Sequence, residues 1–235
     1  MNLGEIILLI IFAFLPPIIY TIWIRNTEKY HRERWISIFL CFFWGATIAI
    51  IAAVILEYIL HFSLIPSFKD PSILGLITVV IIAPIVEEFT KPLALRLKTV
   101  KKELDELEDG LIYGAVAGLG FSATENLVYG FTFLDVSLLY FLVLIVIRSF
   151  GACLLHASAT AWTGYGYGKY IMKQSTFLRI LPYFFLAILV HALYNSLLSF
   201  DFIGASAGLF AALMVSFVTI EIVLYKIKKL DKQSS

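Results

Sequence analysis

Five charged side chains stand well inside long apolar stretches of this 235-residue chain: Glu87, Glu88, Lys91, Glu125 and Arg148. His156, His191 and Asn195 keep them company in equally apolar surroundings. A charge at the centre of a bilayer costs about 2.5–3.5 kcal/mol even on a lenient scale. Five unpaired ones would cost roughly 12–18 kcal/mol, as much as the whole stability of a typical fold. They must face one another or a wet cavity. Carboxylates, imidazoles and a carboxamide together suit amide hydrolysis. A glutamate can take the proton of an attacking water, and a histidine or asparagine can steady the tetrahedral oxyanion. Two histidines and a glutamate are also a ligand set that catalytic zinc accepts, with a fourth position open for water. A serine nucleophile is disfavoured, because Ser158 lies two residues from His156 and points away from it on a helix.

Local spacing sharpens the picture. In Pro84-Ile-Val-Glu87-Glu88-Phe-Thr-Lys91 the acids precede the base by four and three residues, the favourable helical order. The two glutamates point 100° apart, so only one can enter a given cavity. Phe121, Glu125 and Tyr129 share one helix face, while Gly110, Gly114, Gly118 and Ser122 form a small-residue stripe that lets another helix approach closely. His191 and Asn195, four apart, face the same way.

The elements that must carry these residues are membrane helices. Of the chain's residues 60% are apolar and only 15% charged, against about 45–50% and 25% in a soluble domain, and the mean hydropathy is +0.91. A water-soluble enzyme, a disordered chain and a disulfide scaffold are excluded. A net charge of +1 gives no reason to expect nucleic acid as a partner. Cys41 and Cys153 both lie in apolar stretches. The first apolar stretch follows Glu5 rather than a basic residue and shows no cleavage pattern, so it is expected to be a retained span. Seven stretches are long enough to cross a bilayer: about 3–24, 35–60, 72–96, 110–134, 136–168, 177–199 and 203–226. The fifth, about 48 Å as one helix, must tilt, project or break near Gly151. The expectation is an all-α polytopic bundle of one integral domain, residues 1–235, in the cell membrane.

Charge supports that segmentation. Fifteen of the eighteen basic residues fall in alternate connections or after the last span. Basic loops stay cytoplasmic, which puts the N-terminus outside and the C-terminus inside. Counting about 1.5 Å per residue from the cytoplasmic ends places Glu87 near 15 Å, and Glu125, His156 and His191 near 20 Å. Four spans thus bring polar groups to one depth, as a site requires.

The blocks Glu87-Glu88-x-x-Lys91, Asp109-Gly-(x)2-Tyr-Gly-(x)3-Gly-x-Gly-Phe-(x)3-Glu125-Asn126-(x)2-Tyr129, His156 before a glycine-rich stretch, and His191-x-x-x-Asn195 resemble the PrsW family of intramembrane proteases, relatives of the CAAX-protease and bacteriocin-processing superfamily. The resemblance covers about residues 72–200, and the Asp109–Tyr129 block is its most specific part. It implies proteolysis of membrane-anchored proteins, single-span anti-sigma factors being the best-known kind. It also implies roles for Glu87, Glu88, Glu125, His156 and His191. One reading makes Glu125, His156 and His191 the ligands of a divalent metal, zinc by preference, with Glu87 as base, Glu88 as a catalytic partner oriented by Lys91, and Asn195 at the oxyanion. The other needs no metal: Glu87 activates water while His156 and Asn195 hold the oxyanion. A transporter or channel, or a non-catalytic membrane scaffold, would also bury charges. Against transport, the polar groups form one layer and no repeat of broken helices is present.

Overall fold

Backbone in hydrocarbon must satisfy its own N–H and C=O groups, and a helix does this within one segment. In the computed structural model, which describes residues 3–134, 136–172, 176–200 and 203–234, no strand occurs among those residues. Lys173, one of the basic loop residues, lies outside them. The main helices are α1 (Leu3–Arg25), α2 (Trp35–Ser67), α3 (Pro71–Arg96), α4 (Leu107–Leu134), α5 (Leu138–Phe150), α6 (Ala152–Met172), α7 (Phe177–Ser199) and α8 (Ala205–Ser234). Starts are chemically marked. Asp70 caps α3 by accepting from Ser72 N at 2.9 Å, followed by Pro71 in the first turn. The Ser137 hydroxyl accepts from Tyr140 N at the head of α5.

Among the described residues, six stretches are long and apolar enough to cross a membrane: α1, α2, α3, the run α5–α6, α7 and α8. The seventh expected span, α4, is 28 residues long but rich in glycine, serine and threonine and carries Glu108, Asp109, Glu125 and Asn126. Its lower hydropathy has a positional cause. Residues 108 to 123 of α4 are all buried, so this helix forms the centre of the bundle and meets little lipid. The stretch 136–168 is two helices meeting at Gly151, whose φ of −96° and ψ of −80° leave helical geometry. Large apolar side chains such as Ile7, Phe39, Ile51, Leu139 and Leu189 stay exposed on the outer helices, where the bilayer lies.

Glycine sets the approach of α4 to α6. A β-carbon on Gly110, Gly114 or Gly118 would run into the backbone oxygens of Gly164, Thr160 and His156 in turn. On the other side, one on Gly120 would strike Phe42 O, and one on Gly45 would strike Ala117 O, so α2 docks equally close. Each of α2 and α3 widens into a π turn, at Gly45–Ala49 and Thr78–Ile82. Such turns disturb the regular ladder. In both, a carbonyl accepts from a neighbouring helix: Thr124 Oγ1 donates to Ala46 O at 2.6 Å, and Asn195 Nδ2 to Val79 O at 2.8 Å.

Candidate active site

The close α4–α6 packing puts Glu125 and His156 side by side, and α3 and α7 close the ring with Glu87, Glu88, Lys91 and His191. His156 Nε2 lies 2.7 Å from Glu125 Oε2, and its Nδ1 lies 2.8 Å from Lys91 Nζ. An ammonium only donates, so Nδ1 is the accepting nitrogen and the ring proton sits on Nε2, pointing at Glu125. His191 is held the same way from behind. Its Nδ1 meets Glu88 Oε1 at 3.0 Å, and its Nε2 lies 4.0 Å from Glu87 Oε2. His156 Nδ1 is 3.7 Å from that same Glu87 oxygen. The rings stand edge to face, centroids 5.0 Å apart.

The buried charges are paired. Lys91, fully buried, reaches Glu87 Oε2 at 2.9 Å and Glu88 Oε1 at 2.8 Å, and lies 4.5 Å from the Phe121 ring centre. Glu88 Oε2 accepts from Thr160 at 2.9 Å. Arg148 of α5 bonds Glu125 Oε2 at 2.9 Å and Asn126 Oδ1 at 2.7 Å, and stacks on Tyr129. Three carboxylates therefore face two cations from lysine and arginine, one negative charge in excess before the imidazoles are counted. Glu87 Oε2 is buried and, despite the nearby ammonium, accepts no aligned hydrogen bond.

One carboxylate oxygen of Glu87 and one nitrogen from each of His156 and His191 lie within 4.8 Å of one another. Two imidazoles and a buried carboxylate fit a divalent metal such as zinc, which would take the place the Lys91 ammonium holds at their focus. Each imidazole is also backed by a carboxylate on its other nitrogen, the arrangement that commonly orients metal-bound histidines. The expected ligand trio of Glu125, His156 and His191 is placed differently: Glu125 sits behind His156, salt-bridged to Arg148, and Glu87 is the acid between the two rings. Glu88 is tied to Lys91, Thr160 and His191. Asn195 lines the cavity with one amide hydrogen on Val79 O.

That cavity, of about 420 Å³, is bordered by Glu87, Glu125, His156, His191, Asn195 and Tyr194. Glu57 borders it too, while His61 is turned to Thr78 Oγ1 at 2.8 Å. Ser158 bonds Thr219 and the Leu155 carbonyl, away from the cavity. Sequence reasoning missed Thr160, although it lies one helical turn after His156. It also missed Asn126 as the second anchor of Arg148, although it adjoins Glu125.

A family model described as PrsW family intramembrane metalloprotease matches residues 33–224. Protease PrsW of Clostridioides difficile (strain 630) is 30% identical over 225 residues, covering 95% of this chain and 89% of its own. No solved structure matches.

Proposed function

Because the chain belongs to the PrsW family of intramembrane metalloproteases, we propose that Glu87, His156 and His191 hold its metal and that Glu125 takes the proton of the attacking water. The chain is an intramembrane protease and a multi-pass membrane protein. The observation that carries the assignment is the buried Glu87 Oε2 set between two imidazoles, each held by a carboxylate on a nitrogen. When bound, zinc would polarise the scissile carbonyl and acidify the water.

The protein side chains do the rest. Glu125 borders the cavity and accepts the water proton, while Arg148 fixes its position. Asn195 has a second amide hydrogen beyond the one spent on Val79, and offers it to the developing oxyanion. Glu88 orients His191 and Lys91. The cavity falls in the range that encloses small ligands, roughly 300–1,000 Å³, whereas a helix with side chains is about 10–12 Å across. A membrane-anchored substrate must therefore unwind around the bond to be cut. Single-span membrane proteins of the cell membrane are the substrate class this reading favours.

One observation favours a second reading. Lys91 Nζ lies 2.9 Å from Glu87 Oε2 and 2.8 Å from His156 Nδ1, so an ammonium already supplies positive charge at the focus. A metal-free reaction would then use Glu87 as the proton acceptor. The deciding experiment strips purified protein by exhaustive chelation, measures its metal, and follows cleavage of single-span substrates before and after zinc or cobalt is returned. Glu87→Gln serves as the inactive control. Activity lost on stripping and regained on return supports the ligand set. Full activity in metal-free protein leaves Glu87 as base.

A further inference from the structure

A second group of carboxylates lies at the end of the bundle where the basic connections meet, far from the catalytic cavity. Asp109 and Glu125 are separated by roughly 24 Å along α4 at 1.5 Å per residue. Glu28 and Glu33 come from the connection between α1 and α2, Glu106 immediately precedes α4, and Asp109 sits in its first turn. Glu28 is fully buried, Asp109 and Glu33 nearly so.

Some carboxylate oxygens of this group are engaged and others are not, and Asp109 also shares a side-chain hydrogen bond with Glu33. Asp109 Oδ2 accepts from Asp105 N at 2.9 Å and Glu106 N at 2.7 Å. Glu28 Oε2 accepts from Glu33 N at 3.2 Å, and Tyr113 donates its hydroxyl to Glu33 Oε2. Glu28 Oε1 and Glu106 Oε2 are buried with no hydrogen-bond partner. The nearest arginines turn to the backbone: Arg25 Nε bonds Glu33 O at 2.7 Å, and Arg32 Nε bonds Glu28 O at 3.0 Å. A buried carboxylate oxygen without a donor is costly to keep, and this group holds two of them. One oxygen each from Glu28, Glu106 and Asp109 lies within 4.8 Å of the others.

We propose that Glu28, Glu106 and Asp109 form a second, all-oxygen site for a hard divalent cation, calcium or magnesium, which fastens the α1–α2 connection to the head of α4. The donor set carries the chemistry, since carboxylates without nitrogen or sulfur suit calcium, magnesium and manganese rather than zinc. The spacing fits as well. Calcium binds oxygen at about 2.3–2.6 Å, so opposite ligands stand roughly 4.6–5.2 Å apart, whereas magnesium at about 2.0–2.1 Å needs the acids to draw in.

Full-length protein in detergent, stripped with EDTA and dialysed free of it, would be titrated calorimetrically with calcium chloride and separately with magnesium chloride. Saturable binding of at least one of them is expected, together with a raised unfolding midpoint. Glu28→Gln and Glu106→Gln should each weaken it on the order of tenfold or more, while Glu87→Gln leaves it unchanged. Glu106 is only partly buried, so its variant keeps the test open if Glu28→Gln does not fold. Three results would overturn the proposal: no saturable binding of either ion, binding undiminished in the Glu106→Gln protein, or binding lost with Glu87→Gln.

Discussion

His156 has opposed duties on its two nitrogens, and that division decides what each acid around it can do. Nε2–H is spent on Glu125, so only Nδ1, facing Glu87 and Lys91, can bind a metal. If Glu125 is the proton acceptor, Glu125→Gln keeps the shape and an oxygen for His156 but removes the base. Peptide hydrolysis should fall about 100- to 10,000-fold, while bound metal, measured by elemental analysis, stays near one per chain. Loss of the metal together with the activity would make Glu125 a ligand instead. His191→Ala should empty the site and abolish hydrolysis in the same two measurements. The sequence was informative about which residues gather here, because residue counts along separate spans place Glu87, Glu125, His156 and His191 at one depth. It could not say which acid lies between the imidazoles. That depends on the rotation of four helices about their axes and on the rotamer of Glu87, and helical periodicity within one span constrains neither. Lys91 was readable as the i+4 partner of Glu87, but its contact with His156, 65 residues away, was not.

At the scale of helices, the glycine stripe of α4 is what brings His156 to Glu125. Gly118 lies against the His156 backbone itself, so any β-carbon there must push α6 away at the histidine. Gly118→Ala should destabilise the protein by about 1–3 kcal/mol, the usual range for overpacking, and cut hydrolysis more than Gly114→Ala, which presses on Thr160 one turn further on. Gly75→Ala in α3 meets nothing within 4 Å and serves as the neutral control. Thermal unfolding and cleavage rates of the three variants check this order, and a Gly118→Ala enzyme as stable and fast as the control would refute it. The stripe was plain in the sequence as small residues at i, i+4 and i+8, whereas the excess length of the fifth stretch left tilt, projection and a break near Gly151 equally open. The two π turns were not readable. Each holds a carbonyl that accepts a tertiary bond, Ala46 from Thr124 and Val79 from Asn195, whose donor is on another helix.

For the whole molecule, the unequal sharing of basic residues and the path of the helices make one claim together. Arg34 pairs with Glu103 at 3.1 Å, and Asp231 of α8 accepts from the backbone of Lys29 and Tyr30, so three basic segments gather at one end of the bundle. Ser67 ends α2 at the start of the short connection to α3, whereas Lys101 follows α3 after its 26 residues. A helix of that length rises about 39 Å, more than the roughly 30 Å hydrocarbon core, so Ser67 and Lys101 must lie on opposite faces. The basic excess assigns Lys101 to the cytoplasm. With α4 as a seventh span, the same rule predicts an N-terminus outside and a C-terminus inside. Single cysteines at Ser67 and Lys101 test this in intact cells. Native Cys41 and Cys153 are buried and free, so they add little background. An impermeant maleimide should label Ser67→Cys from outside, and Lys101→Cys only after the cells are opened. Labelling of both positions from the same side would mean that α3 does not cross. Glu87 and Lys91 would then lose the bilayer setting on which the assignment of a membrane-buried site depends.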